Sequence, residues 1–594
     1  MDYESRDKVE EAYKWDLTSR YKNDNAWEKE YKQQLKNYKK IGEYEGKVLE
    51  SADTLLEVLN TFFAIQLKIL KIYVYAHSKH DENVENSKYN LMFNEALSLY
   101  YKFIEASSYL KPEILKGNKS TLDKYLKSSK LKKYHFYLSK LIREKEHTLS
   151  ENEERIISKL SSTSDLNSNI SEVLTNGIID YGKIIVDGVE TVLTNNNYRD
   201  IITNKNRNTR KEAYNMMTSS LKKYETLYGM NLAGSMKFVK NLAETYKFST
   251  VLEMDLFESN IPKEVVSNLY KTVEKRLDVL RKYYLMIKRS LGLEELECYD
   301  LRAELVNDNL TFTIEEAKLL LEQALGILGE NYLKILNKAF EERWIDFGTY
   351  KGKTSSIYAT GNYGDHPLVL TNYLGKFHDI STLAHELGHA INFELSMIQN
   401  YHDWGGDLLT AEVASLTNEI LFSDYIIKHS KDKNLKLKAI SNLLQIIENN
   451  LFGACMEGKF ENIIYEKLEN GEEVDALIFN DITYDIRQKY YMDTVKLDDR
   501  AKTTWIRRMH YFSPYYLFKY ATGISSALYI AKNIIENKNN MKEKYLKFLT
   551  KGGCDYPTNL LKEMGIDLTK PKVINEAIDY MDYLIDEFNR ISEE

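Results

Sequence analysis

The sequence predicts a large, mainly α-helical protein. Six prolines are spread over 594 residues, so long intervals of the chain contain no helix breaker. Apolar residues make up 43% of the chain and charged residues 29%, a balance that suits amphipathic helices packed around large cores. Because hydrophobic cores stop growing near ~250–300 residues, we expect more than one subdomain.

The first 200 residues are predicted to be a series of amphipathic helices that ends in a hairpin. Residues 52–77 carry Leu55, Leu59 and other apolar side chains at helical spacing. Later, short β-branched runs lie on either side of Asp187-Gly188, a dipeptide typical of a β-hairpin turn. We predict an N-terminal helical region over residues 1–115, a helical subdomain with this possible hairpin over 116–200, and a third domain over 201–594.

A second non-helical stretch spans residues 345–378. Five glycines and a proline fall within it, and they favour loops and turns over helix. Val369 and Leu370 suit a β-strand, which we predict over residues 366–374. The chain is then predicted to be helical almost to its end.

The helix that follows this stretch carries two histidines one turn apart. Residues 385–389 read His-Glu-Leu-Gly-His, in a chain with only 11 histidines. His385 and His389 leave the same helix face, so their ring nitrogens can reach one metal ion at about 2.0–2.1 Å. Glu386 is rotated by roughly 100° and can face a metal-bound water instead. This pattern is typical of zinc peptidases, with Glu386 as the general base.

A catalytic zinc site needs three protein ligands and an open position. The next predicted helix, residues 408–427, offers Glu412 and Glu419 on one polar face. Their spacing favours Glu412 as the third ligand, although either acid could also be a solvated residue near a helix start. The predicted ligands of one Zn²⁺ per chain are therefore His385, His389 and Glu412.

Four segments, in the correct order, resemble the thimet-oligopeptidase-like zinc peptidases, and most closely their oligoendopeptidase F branch. The segments are the 385–389 motif, Glu412-Val413-Ala414-Ser415, residues 361–373 (Gly-Asn-Tyr-Gly-Asp-His-Pro-Leu-Val-Leu-Thr-Asn-Tyr), and a C-terminal segment made of residues 510–516 (His-Tyr-Phe-Ser-Pro-Tyr-Tyr) and 520–523 (Tyr-Ala-Thr-Gly). The resemblance implies a zincin-type fold with a deep substrate channel and a small β-sheet beside the helix that carries residues 385–389. It also implies that residues 201–594 form a catalytic zinc peptidase domain, which cleaves internal bonds of short peptides.

The resemblance also assigns roles by position. His385, His389 and Glu412 become zinc ligands and Glu386 the base. The donors to the substrate carbonyl become His510 together with one or more of Tyr515, Tyr516 and Tyr520.

Substrate contacts are predicted in the non-helical stretch before the motif. If the strand over residues 366–374 lies at a sheet edge, its unpaired N–H and C=O groups could hold a peptide backbone by strand addition. Glycines in the preceding loop would let that loop approach the substrate closely. The candidate substrate-binding residues are Gly361, Gly364, His366 and Val369.

Composition excludes several other classes of protein. A net charge of −8 provides no basic surface for nucleic acid, and we find no run of about 18 apolar residues that would cross a membrane. The three cysteines form no CxxC pair, which excludes a thiolate zinc site and fits a reducing compartment. Without a signal-peptide pattern, the expected location is cytoplasmic.

Two alternatives stay open at this point, and the oligomeric state is undetermined. A zinc carboxypeptidase or dipeptidyl carboxypeptidase could carry the same helix pair. A non-catalytic peptide-binding relative could retain the metal site without the chemistry. The presence of the three proposed ligands, the base and the His/Tyr segment favours an endopeptidase.

Overall fold

The computed structural model, which describes residues 2–161, 166–306 and 310–594, confirms a mainly helical fold with a few short strands. The chain forms two compact units, each assembled from three separate stretches. The first unit contains Met1–Thr148, Leu310–Tyr425 and Ile530–Gly565, and the second contains Leu149–Asn309, Ile426–Tyr529 and Ile566–Glu594. The domain boundaries predicted near residues 115 and 200 stay predictions.

The first unit contains helices from all three of its stretches. Its helices, including one that ends in the second unit, are Asp24–Asn37, Ala52–Glu82, Ser87–Ala106, Leu110–Lys116, Lys119–Leu126, His135–Arg143, Ile314–Leu325, Glu330–Glu341, Phe377–Ser396, Tyr401–Trp404, Leu408–His429, Met541–Leu549 and Pro557–Glu563. The longest of them, Ala52–Glu82, is capped by Ser51, whose side chain accepts the N–H of Thr54. It buries Leu55 and Leu59 as the sequence predicts, and packs against Ser87–Ala106.

A three-stranded sheet in the first unit packs against the helix Phe377–Ser396. Its strands, in spatial order, are Ile345–Asp346, Leu368–Leu370 and Tyr358–Thr360. The first pair is parallel and the second antiparallel. A separate parallel pair joins Asp2–Tyr3 to Thr349–Tyr350.

The strand predicted over residues 366–374 is shorter than expected, and its predicted edge position is wrong. Leu368–Leu370 is the middle strand. Val369 donates its N–H to the carbonyl of Trp344 (2.8 Å), while Leu368 and Leu370 lie opposite Thr360 and Tyr358. With a neighbour on each side, this strand has no free row of backbone groups to offer a peptide.

The second unit is also helical. Its helices, including one that ends in the first unit, are Glu151–Ser161, Leu166–Val173, Asn195–Ile201, Arg207–Lys222, Glu225–Thr245, Val251–Glu258, Lys263–Glu274, Leu277–Ser290, Lys433–Ile447, Ala454–Glu469, Ala476–Tyr491, Leu517–Ile535 and Lys572–Glu593. An antiparallel hairpin pairs Lys183–Val186 with Val189–Val192 around the Asp187-Gly188 turn, where the sequence predicts one. A short parallel pair joins Leu296–Glu297 to Val495–Lys496. In the part of the chain that the structure describes, no helix is long and apolar enough to cross a membrane.

Candidate metal centre and active site

The helix Phe377–Ser396, called here the motif helix, carries the two histidines of the 385–389 motif. The carboxylate of Asp379 accepts the N–H groups of Leu374 and Lys376 (both 2.9 Å), and these bonds define where the helix begins. Leu383, Leu387 and Ile391 are fully buried on the opposite side. The motif helix is therefore held on its apolar face, while its polar face carries the site.

Three side chains converge as a metal site requires. The carboxylate oxygen Oε2 of Glu412 lies 3.2 Å from Nε2 of His385 and 3.6 Å from Nε2 of His389. The ligand atoms of these three residues all lie within 4.8 Å of one another. Two atoms bound to a tetrahedral zinc ion at about 2.0–2.1 Å are roughly 3.3–3.4 Å apart, so the observed spacing fits such an ion.

Glu419 orients one of the histidines instead of competing with Glu412. Its Oε2 lies 2.9 Å from Nδ1 of His385, the ring nitrogen that does not face Glu412. The hydroxyl of Ser381 donates to the other carboxylate oxygen (2.9 Å). A carboxylate behind a ligating histidine fixes the ring and its tautomer, as in many zinc sites. The sequence placed Glu419 on the correct face but did not reveal this role.

The electrostatics of the cluster follow from these contacts. Burial lowers the pKa of the His385 imidazole, but its contacts with Glu412 and Glu419 outweigh burial and raise that pKa well above its usual value. For Glu412, burial raises the pKa, yet the two histidines lower it below its usual range. The two carboxylates therefore favour positive charge at this position, and a divalent cation that displaced the imidazole proton would meet the same negative charge.

The motif helix crosses the helix Leu408–His429 at very close range. A Cβ placed on Gly388 would lie 2.6 Å from Cα of Ser415 and 2.7 Å from the carbonyl oxygen of Ala414. Nearby, the side chain of Asn418 donates to the carbonyl of Ala384 (3.1 Å) and joins the two helices. Only glycine at position 388 allows this approach, and the approach brings Glu412 to the histidines.

Replacing Gly388 by alanine is therefore expected to destabilise the fold by about 1–3 kcal/mol, because the added methyl group meets backbone atoms that cannot move independently. Thermal unfolding of the variant, followed by circular dichroism, measures the effect. Gly405→Ala is the matched control, since an added Cβ there meets nothing within 4 Å and its φ is −73°. A Gly388→Ala variant as stable as this control would contradict the close helix crossing.

Glu386 lies beside the three converging side chains without being one of them. Its side chain is buried, and the residue is 8% exposed. Burial raises the pKa of its carboxyl group, and the charges of His385 and His389 offset that rise only in part. A carboxylate with a raised pKa next to a metal site suits a general base, which works best when its pKa is near the working pH.

The predicted substrate-binding residues lie in or beside the loop between two strands of the sheet. Gly364 has a φ of +92°, a conformation that favours glycine. A Cβ placed on Gly361 would lie 3.7 Å from a ring atom of Trp404. The ring of His366 stacks on Trp344 (5.7 Å between ring centroids), and Val369 is fully buried in the central strand.

The residues predicted to bind the substrate carbonyl lie in the second unit. His510, Tyr516 and Tyr520 form an aromatic cluster with ring centroids 5.2–5.8 Å apart. Burial lowers the pKa of His510, and the nearby charge of Arg508 adds to this effect. A neutral His510 can donate one N–H.

Tyr515 differs from its neighbours in the same loop. It is 2% exposed and its ring stacks on Tyr465. Its φ is +49°, and its N–H donates to the carboxyl group of Glu461 (2.7 Å). Burial raises the pKa of Glu461 to about 8. Tyr515 therefore shapes the loop, whereas Tyr516 and Tyr520 are the tyrosines that contact His510.

Comparisons with known proteins identify the family of this chain. Residues 201–580 match the model of peptidase family M3, and residues 113–181 match a model described as Oligopeptidase F. The chain belongs to peptidase family M3. It is therefore a metallopeptidase, and the predicted family and enzyme class, a metalloendopeptidase, are confirmed.

Relatives of this M3 peptidase match it over nearly its full length. It is 31% identical to Oligopeptidase PepF of Bacillus subtilis, over 99% of this chain and 88% of that protein. It is 30% identical to Group B oligopeptidase PepB of Streptococcus agalactiae, over 97% and 96% of the two chains. A crystal structure of oligoendopeptidase F from Enterococcus faecium superimposes with a TM-score of 0.75 at 25% identity, over 96% of this chain and 99% of that one. A crystal structure of a protein from Chlamydophila abortus superimposes with a TM-score of 0.90 at 27% identity, over 99% of this chain and 100% of that one.

Proposed function

We propose that this M3 peptidase is a zinc-dependent endopeptidase that hydrolyses internal bonds of short peptides, with Glu386 as its general base. The convergence of His385, His389 and Glu412 beside Glu386 carries the proposal. The printed names of the relatives, which describe oligopeptidases, support short peptides as substrates. The three free cysteines support a cytoplasmic location.

The donor set favours zinc over other divalent cations. Two imidazoles and one carboxylate form a common zinc ligand set in peptidases and leave the fourth position open. When bound there, zinc would lower the pKa of a water molecule and polarise the scissile carbonyl group. His385 and His389 would contribute Nε2, and Glu412 an Oε atom.

Glu386 would take the proton of the attacking water and pass it to the leaving amine. Its carboxylate is suited to both transfers because its buried surroundings raise its pKa towards neutrality. A neutral residue of the same shape could occupy the position but could not accept the proton.

The peptide backbone would bind to the outer strand Tyr358–Thr360, which replaces Leu368–Leu370 in this role. Ala359 lies opposite Val369 in the antiparallel pair, and the N–H of Val369 points away from Ala359, towards Trp344. Ala359 and Val369 therefore form a pair without mutual hydrogen bonds, in which the N–H and C=O of Ala359 point outward from the sheet edge. Since this strand packs against the motif helix, a peptide added to it would run beside the metal ligands.

His510, with Tyr516 or Tyr520, would donate hydrogen bonds to the oxygen on which negative charge develops. The lowered pKa of His510 and its contacts with both tyrosine rings support this role. Tyr515 is the weakest of the three tyrosines as a donor because its ring is buried against Tyr465.

Replacing His510 by alanine is expected to lower kcat by ~10²–10³-fold with a much smaller change in KM, because a transition-state hydrogen bond is lost. Steady-state kinetics on a quenched fluorogenic peptide measure both constants. His429→Ala, a change at an exposed histidine, is the control. A change confined to KM would make His510 a binding residue only.

The proposed function is tested by digestion of a peptide blocked at both ends, with and without a chelator. We expect cleavage at internal bonds, its loss on chelation, and its recovery on adding back zinc. Mass spectrometry of the products locates the cleaved bonds. Products that appear only from peptides with a free C-terminus would identify a carboxypeptidase or dipeptidyl carboxypeptidase, and binding without cleavage would identify a non-catalytic relative.

A further inference from the structure

A short loop joins the outer strand of the sheet to its central strand. This hairpin loop, residues 361–367, follows Tyr358–Thr360 and precedes Leu368–Leu370. Its conformation therefore determines where the outer strand lies. Because that strand is proposed to bind the peptide backbone, the contacts of the hairpin loop bear on substrate binding.

Arg20 connects both ends of the hairpin loop. Its Nε donates to Oδ1 of Asn362 (2.9 Å), and its Nη2 donates to the backbone carbonyl of His366 (2.6 Å). One planar guanidinium thus spans the turn from its second residue to its sixth. The two contacts lie more than 340 positions away in sequence, and no sequence motif indicates them.

The environment of Arg20 shows that this contact is specific. Arg20 is 4% exposed, and in the described part of the chain its buried Nη1 has no hydrogen-bond partner. Burial lowers the pKa of Arg20, the negative charge of Asp365 offsets part of that effect, and the resulting pKa is about 10. Burying a charged side chain without a direct ion pair is costly. An arginine that only stabilised the surface would be solvated instead.

Other first-unit residues hold the same loop. Lys71 pairs with Asp365 (2.9 Å), and the hydroxyl of Tyr363 donates to the carbonyl of Gln399 (2.7 Å). Asn362, which accepts a hydrogen bond from Arg20, also donates one to Asp365 (2.5 Å), the partner of Lys71. Arg20 differs from these contacts because it alone bonds two positions of the loop at once.

We propose that Arg20 is a positioning residue for peptide binding, which holds the hairpin loop and the outer strand in the conformation that accepts the substrate backbone. The proposal rests on the proposed function. Arg20 touches neither the metal ligands nor Glu386 through any hydrogen bond or ion pair that the structure describes. Its effect would therefore appear in substrate affinity and not in the chemical step.

The physical argument concerns the order of the loop before substrate binds. Without Arg20, Oδ1 of Asn362 and the carbonyl of His366 lose their donor, and the turn gains conformational freedom. That freedom must be given up whenever a peptide adds to the outer strand, so binding becomes weaker. A role in general stability would instead reduce the amount of folded enzyme without changing KM.

The first test compares Arg20→Ala and Arg20→Lys with the wild type on a quenched fluorogenic peptide. We expect KM to rise about tenfold in Arg20→Ala, equivalent to about 1.4 kcal/mol, with kcat within about threefold and zinc content unchanged. Arg20→Lys keeps the charge but offers one ammonium to two acceptors, so its KM should also rise. If Arg20→Ala does not fold, the KM of Arg20→Lys is the test of the proposal.

Arg6→Ala is the matched control. Arg6 lies in the same N-terminal segment and bonds Glu82 (2.9 Å) and Asp346 (2.7 Å), and none of its described hydrogen bonds or ion pairs involves the hairpin loop. It should lower the melting temperature and leave KM unchanged. An equal rise of KM in both variants would overturn the proposal, and so would an unchanged KM in Arg20→Ala and Arg20→Lys.

A double-mutant cycle provides the second test. Asn362→Ala should raise KM, and the double variant should raise KM by less than the product of the two single effects, since the Arg20–Asn362 bond is lost in both single variants. Fully additive effects would overturn the role of the Arg20–Asn362 bond in holding the loop. A wild-type enzyme without peptidase activity would refute the proposed function itself, and that result is distinct from any outcome for Arg20.

Discussion

Replacing Glu386 by glutamine is expected to lower kcat for peptide hydrolysis by about 10²–10⁴-fold while zinc stays bound. The amide has nearly the shape of the carboxylate but cannot take a proton from water. Because Glu386 is not among the three converging ligands, the metal site should remain intact. Two quantities are measured on the same sample. Elemental mass spectrometry gives the zinc content, and hydrolysis of a fluorogenic peptide gives kcat.

The matched control for this change is Glu394→Gln, on the same helix. Glu394 pairs with Lys338 (2.8 Å) near the end of the motif helix and takes no part in the site. Its loss should leave kcat and zinc content unchanged. If Glu386→Gln retained most of the wild-type rate, another group would have to be the base.

The second large effect is expected from Glu412. Its replacement by alanine removes one of the three proposed ligands and leaves His385 and His389 as the two that remain. We expect the loss of zinc affinity to exceed the ~10–100-fold that an outer-shell change costs, with peptidase activity lost in parallel. Competition with a chromophoric chelator measures the affinity.

Glu419→Gln tests whether Glu412 or Glu419 is the third ligand, a choice that the sequence alone leaves open. Glu419 contacts Nδ1 of His385 and the hydroxyl of Ser381, so its loss loosens the ring without removing a ligand. We expect zinc affinity to fall by ~10–100-fold, less than in Glu412→Ala. If Glu419→Gln lost zinc more completely than Glu412→Ala, the assignment of the third ligand would be reversed.

The proposed metal site could be predicted from sequence because most of it is local. Two histidines four residues apart on a helix share one face whatever the rest of the chain does. The approach of Glu412 is not local, since it depends on Gly388 allowing two helices to touch at backbone distance. The glycine-rich stretch before the motif predicted one strand, over residues 366–374, but not the strands that pair with it.

The position of the central strand shows why sheet order could not be derived in this way. Residues 366–374 have the composition of a buried strand, and Leu368–Leu370 is indeed fully buried. Whether a strand lies at an edge depends on the neighbours that pair with it. Here one neighbour, Ile345–Asp346, pairs with residues 24 positions later in the chain and occupies one side of the central strand.

Helix periodicity and i, i+4 spacing are properties of a few consecutive residues, so the sequence was enough to predict a mainly helical protein and to propose His385 and His389 as metal ligands with Glu386 as the base. The three-dimensional structure was needed to show that Glu419 contacts His385, that Tyr358–Thr360 lies at an edge of the sheet, and that Arg20 bonds the loop beside it. These are contacts between residues tens to hundreds of positions apart. They depend on how whole helices and strands pack, and no local pattern encodes that packing.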